Sequence, residues 1–216
     1  HGGTDSADDR KDDLVNLLLP ILVPGLAALV TLAIPRSGRL VRDTIVLLAA
    51  LLNLVIAMRF FGHEATFSAL WGGYGMDFTL RLYAFSGFIL LAAAGFGILT
   101  GLYGVTFLKD HRHAGQYHAY FLLTLAFSNG AALADNLVAF LFFWEGLLGM
   151  LFGMIVIGRP GAIRTAVKAF VIVGVTDLCL MLGICLAAWQ AGTWSMSQMN
   201  LPLNAVGTSA FLLMAI

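Results

Sequence analysis

Residues 119–158 read AYFLLTLAFSNGAALADNLVAFLFFWEGLLGMLFGMIVIG, two apolar runs interrupted only by Asp135 and Asn136. A helix needs about 20 apolar residues to cross roughly 30 Å of hydrocarbon. Ala119 to Ala134 and Leu137 to Gly158 approach or exceed that length, so the stretch reads as two membrane helices. So tight a break makes them antiparallel neighbours. The rest of the chain agrees, with hydrophobic residues at 60% of 216 and charged residues at 11%, less than half the share usual in soluble domains, about 25%. Mean hydropathy is +0.90. Twelve Lys and Arg balance twelve Asp and Glu, which leaves neither the basic excess of a nucleic-acid binder nor the acidic excess of a solvating tail. Lipid and other helices are the partners such a surface calls for.

Working outward, Leu14 to Ile34 forms a first span that holds Pro20 and Pro24, tolerable in a membrane helix when neighbours satisfy the carbonyls that proline frees. Further spans fall near residues 44–61, 82–108 and 165–189, and a seventh begins near Ala205 and stops at Ile216, too short to cross. Between the second and third, Met76, Phe78, Leu80 and Leu82 alternate with Asp77, Thr79 and Arg81, the period of a half-buried strand. A short extended hairpin at the surface is expected there. The fold class is therefore an all-α membrane protein of about six transmembrane helices plus a truncated seventh, preceded by a polar tail over residues 1–13. That tail is acidic, unlike the basic start of a signal peptide, and reads as the edge of a fragment. Alternate connections place Arg36, Arg39, Arg42, Lys109, Arg112, Arg159 and Arg164 on one side, against Arg10, Lys11, Arg59 and Arg81 on the other. Because positive loops stay cytoplasmic, the N-terminus is expected outside.

Three ionisable residues fall within the spans, and each costs about 2.5–3.5 kcal/mol at the centre of an inserted helix. Glu145 is the ninth residue of its span, about 12 Å along the axis at 1.5 Å per residue. Asp177 is equally deep, whereas Lys168 is only the fourth residue of its span and can snorkel to the interface. Desolvation and nearby charge act oppositely on a carboxyl's proton affinity, so a mid-membrane carboxylate can switch between holding and releasing a proton. That property makes Glu145, with Asp177 and Lys168, the candidate ion-translocation set. Asp135 stands at a channel mouth or caps the following helix. His111, His113 and His118 are expected in a solvated loop, without a metal. Cys179 and Cys185 lie in one apolar run and read as small buried hydrophobes. Gly95, Gly97 and Gly101 match close helix packing better than a dinucleotide fingerprint, which needs a preceding strand.

The run LADNLVAFLFFWEGLLGMLFGMIVIG, Leu133 to Gly158, resembles the fifth membrane helix of the antiporter-like subunits of respiratory complex I, membrane-bound hydrogenases and multisubunit cation/proton antiporters. The hallmark is a DN turn followed by a tryptophan and a glutamate, here Asp135, Asn136, Trp144 and Glu145. FLKDHRHAGQYHAYFLLTL upstream and AVKAFVIVGVTDLCLMLGI downstream are similar to the family's neighbouring helices. The resemblance implies that Glu145 is the channel carboxyl and that its lysine partner and a second helix repeat lie past Ile216. Gly174 stands where the family often has arginine, which removes the expected charge partner of Asp177. It further implies proton or sodium translocation in the N-terminal portion of a subunit of a redox-driven pump. Alternatives are a subunit of a gradient-driven antiporter or inorganic carbon uptake complex, or a structural subunit that transports nothing. No bond chemistry is expected of the chain itself. Iron-sulfur clusters, flavin or quinone belong to partner subunits such as those of an NADH:quinone oxidoreductase, and the resemblance places the chain in a prokaryotic plasma membrane.

Overall fold

The computed structural model describes residues 5–35, 38–73, 77–109, 111–158, 161–202 and 204–215, with side chains from Leu17 onward. Arg36, Met76, Arg159 and the side chains of Arg10 and Lys11 lie outside the described residues. Each apolar window becomes a helix: α1 Asp5–Ala33, α2 Arg39–Phe60, α3 Ala84–Phe107, α4 Ala114–Leu133, α5 Leu137–Gly158, α6 Ile163–Ala191 and α7 Ala205–Ala215. Helix α1 starts at Asp5, so most of the expected polar tail is helical. Acids near a helix N-terminus suit the dipole there. Among the described residues four helices, α2, α3, α5 and α6, are long and apolar enough to cross a membrane. The chain is an all-α membrane protein. Its outer surface fits that setting, because Leu26, Leu29, Phe96, Leu99, Ile172 and Trp189 are all more than half exposed, an apolar cover that a water-soluble monomer rarely shows.

Helix α1 packs on α2 and α4, α2 on α3, α4 on α5, and α6 on α7. Proline at position 24 has no N–H to give the carbonyl four residues back, which is that of Pro20. Asn129 on α4 supplies the missing donor: its Nδ2 reaches Pro20 O at 2.7 Å and Asn53 Oδ1 on α2 at 3.0 Å. Both asparagines are buried, so this three-helix contact repairs the proline break. Glycines bring α4 and α5 close. A methyl added at Gly130 would meet the Phe143 ring, and one at Gly153 would lie 2.9 Å from Tyr120. Gly97 and Gly101 lie against Leu125 and Phe121 of α4, while Gly95 faces open space.

Strands β1 Ala65–Ala69 and β2 Phe78–Leu82 pair antiparallel, with Phe67 opposite Leu80. The hairpin is less superficial than its composition implies. Leu80 and Leu82 are fully buried and join Leu17, Leu90, Leu133 and Phe143 in one core cluster, because alternate strand residues share a face and that face lies on the helices.

Candidate functional site

The break between α4 and α5 is organised by its two polar residues. Asn136 is the cap of α5: its Oδ1 accepts the Val138 N–H at 2.8 Å and its carbonyl accepts the Phe140 N–H at 2.8 Å, the arrangement that satisfies orphan donors at a helix start. Asp135, expected to cap this helix or mark a channel mouth, does not make the cap bond and ties down the segment after α6. Its carboxylate accepts Ser197 Oγ at 2.6 Å, Ser197 N at 3.1 Å and Ser195 Oγ at 3.1 Å, and its own N–H donates to Thr79 O at 2.9 Å. Hairpin, helix break and post-α6 segment thus lock together at one end of the bundle. Lys109 is at the other, across the length of α4. The left-handed Gly192, φ 68°, ends α6 and turns the chain into this junction.

From that anchored start α5 runs inward to Trp144 and Glu145. The Trp144 indole Nε1 donates to Asp177 Oδ1 on α6 at 3.0 Å, joining two elements whose contact the sequence could not specify. Asp177 is 6% exposed. Its second oxygen, Oδ2, is buried without a hydrogen-bond partner among the described residues, as is Glu145 Oε1. Glu145 is the next residue along α5 from Trp144, whose indole makes the contact to Asp177. Glu145, half-buried, borders an open cavity of about 530 Å³ with Trp71, Phe127, Leu141, Phe142 and Gly146. A carboxyl oxygen desolvated and unpaired is costly to hold there.

Lys168 does not join this pair. It is exposed on α6, and nine residues turn the helix about half a revolution between it and Asp177. Gly174 has open space around it, so the bond to Asp177 comes from a neutral indole and not from a cation on the same helix.

Two sequence expectations change. His118 is not a loop residue: it lies in α4, 1% exposed, with Nδ1 at 3.7 Å from the buried Asp43 Oδ1, because the helix starts earlier than the apolar window suggested. Cys185 is exposed on the surface of the chain and Cys179 partly so, both as free thiols, since that face of α6 points outward. His113 Nδ1 pairs with Gln116 Oε1 at 2.7 Å, and no group of metal-ligating residues occurs among the described residues. The buried polar residues Asn53, Asn129, Asp43 and His118 were missed as a set. Their signal was a polar residue recurring on one face of a long apolar helix.

The bundle thus belongs to the class of all-α membrane proteins that hold carboxyl groups within their spans, Glu145 on α5 and Asp177 on α6. No family model matches the chain. The chain is 30% identical over 163 residues to the NADH-quinone oxidoreductase subunit L of Escherichia coli, covering 70% of this chain and 26% of that protein. It is 26% identical over 192 residues to the chloroplastic NAD(P)H-quinone oxidoreductase subunit 5 of Piper cenocladum, covering 82% and 26%. A Na(+)/H(+) antiporter subunit of Bacillus subtilis matches at 24% over 202 residues, covering 91% and 41%. Among solved structures, the Mrp complex of Dietzia sp. superposes with TM-score 0.78 at 21% identity, covering 92% of this chain and 23% of that one. A membrane-bound sulfane sulfur reductase, an archaeal respiratory complex, gives 0.75 at 18%, covering 93% and 43%. The chain is homologous to the antiporter-like membrane subunits of complex I-type oxidoreductases and cation/proton antiporters, and it spans about a quarter of the length of the first of these relatives.

Proposed function

We propose that the chain is the N-terminal portion of an ion-translocating antiporter-like subunit, with Glu145 as the carboxyl that takes up and releases the transported proton. The observation that carries this reading is the buried Glu145 Oε1 at a cavity wall, without a hydrogen-bond partner among the described residues. Asp177, fixed by the Trp144 indole, is the neighbouring carboxyl on the facing helix. The exposed Lys168 serves at the membrane interface and not within the path. Other membrane subunits complete the assembly, in line with the multisubunit complexes whose fold this chain shares, and any iron-sulfur cluster, flavin or quinone resides in those partners. The distribution of Lys and Arg supports an N-terminus on the outer face of the membrane.

A gradient-driven antiporter is the second reading, supported by the match to the Bacillus subtilis antiporter protein, which extends over 91% of this chain. Co-purification of redox subunits separates it from a redox-driven pump. The test of the shared claim is ion uptake by sealed vesicles carrying the assembled complex. Glu145→Gln keeps shape and hydrogen-bonding capacity while removing the titrating group, so uptake falls to background at normal assembly. Unchanged uptake would leave a structural subunit.

A further inference from the structure

At the Lys- and Arg-rich end of the bundle, the junctions α1–α2 and α3–α4 enclose a cavity of about 580 Å³. Arg39, Arg42, Lys109 and Arg112 line it, and no carboxylate does among the described residues. Asp43, just behind, is the acid that offsets them, with Arg39 Nε at 3.3 Å and Arg42 Nε at 3.7 Å from its oxygens. Among the described residues the lining thus carries four permanent cations and no acid.

Arg42 indicates that the cavity is built for a ligand. It is only 5% exposed, yet it lines the cavity, and its Nε has no hydrogen-bond partner among the described residues. A guanidinium held out of water with an unused donor suits an anion that presents several oxygens, and phosphate is the commonest such group. The cavity also opens towards lipid. Leu32 lines it while half exposed, and Leu29 and Leu26 continue the exposed apolar stripe up α1 at 59% each. This continuity from a cationic hollow to a lipid-facing stripe matches one molecule with a charged head and an acyl tail.

We infer that this cavity binds the headgroup of an anionic phospholipid, its phosphate between Arg42, Lys109 and Arg112 and its acyl chains along Leu26, Leu29 and Leu32. Such a lipid neutralises the cations at the membrane surface and holds the α1–α2 and α3–α4 junctions together. The inference does not depend on Glu145 or on transport. Basic pockets between membrane helices on the cytoplasmic side are a recognised setting for such headgroups.

The test uses the complex containing the full-length chain in nanodiscs of phosphatidylcholine with a minor share of phosphatidylglycerol, with retained lipid counted by native mass spectrometry. Wild type is expected to retain phosphatidylglycerol well above its bulk share. Lys109→Gln with Arg112→Gln changes two exposed side chains and so spares the fold. It should cut the enrichment by about fivefold per charge removed. Arg42→Lys keeps the charge but loses the fork, and should cut it less. Equal retention of the two lipids, or an unchanged enrichment in the double variant, overturns the proposal. Inorganic phosphate that displaces the bound lipid at millimolar concentration would mark a soluble-anion site and also overturn it. So would a partner-subunit segment found seated in the cavity.

Discussion

Asn129→Leu removes the donor that compensates for Pro24, and its cost can be worked from the contacts. Two hydrogen bonds go, to Pro20 O at 2.7 Å and to Asn53 Oδ1 at 3.0 Å. Interhelical hydrogen bonds in membranes average about 0.6 kcal/mol with a maximum near 1.7. A buried carbonyl left without a donor adds about 1–3 kcal/mol. The substitution should therefore destabilise the protein by about 2–3 kcal/mol. The same substitution in a Pro24→Ala background should cost only about 1 kcal/mol or less, because the amide restored at position 24 can serve Pro20 O and only the Asn53 contact is lost. Equilibrium unfolding of the four proteins in mixed micelles closes the double-mutant cycle, with a coupling of about 1–2 kcal/mol expected for groups in direct contact. Equal costs of Asn129→Leu in the two backgrounds would refute the repair argument.

Gly130→Ala drives a methyl into the Phe143 ring and should destabilise by about 1–3 kcal/mol, as overpacking does. Gly95→Ala, with nothing within 4 Å, should be neutral or slightly stabilising by thermal melting, given alanine's better helix propensity. Asp135→Ala unties Ser195 and Ser197, so amide exchange across 193–199 should speed up by roughly tenfold or more, the kinetic reading of about 1.4 kcal/mol. Unchanged protection would show that other contacts hold the segment. Lys168→Gln alters an exposed side chain and should leave vesicle uptake within about twofold of wild type, the scale of an exposed charge.

Helix positions were legible because apolar, charge-poor windows of membrane length have few alternatives. The Asp135–Asn136 break was equally plain, and Gly97 and Gly101 pack as small residues on a helix face are expected to. What the sequence concealed was pairing across elements. Nothing local to Asn129 says that its amide serves a proline kink more than a hundred positions earlier. Likewise the partner of Asp177 is an indole on α5, found only when the helices are side by side. That Asn136 and not Asp135 makes the cap bond of α5 was hidden for a related reason. Either residue type can cap a helix, and the choice depends on Ser195 and Ser197, which α6 delivers to the junction. His118 was misplaced because a polar first turn of α4 reads as loop when hydropathy alone sets the boundary.

The central claim is that the Glu145 carboxyl changes protonation as ions move. Infrared difference spectroscopy on the assembled complex, recorded between resting and turnover states, observes that event at the bond concerned. The account predicts a protonated-carboxyl C=O band that changes with turnover in wild type and vanishes from the difference spectrum in Glu145→Gln, while Lys168→Gln retains it. A carboxyl band that persists unaltered in Glu145→Gln would contradict it.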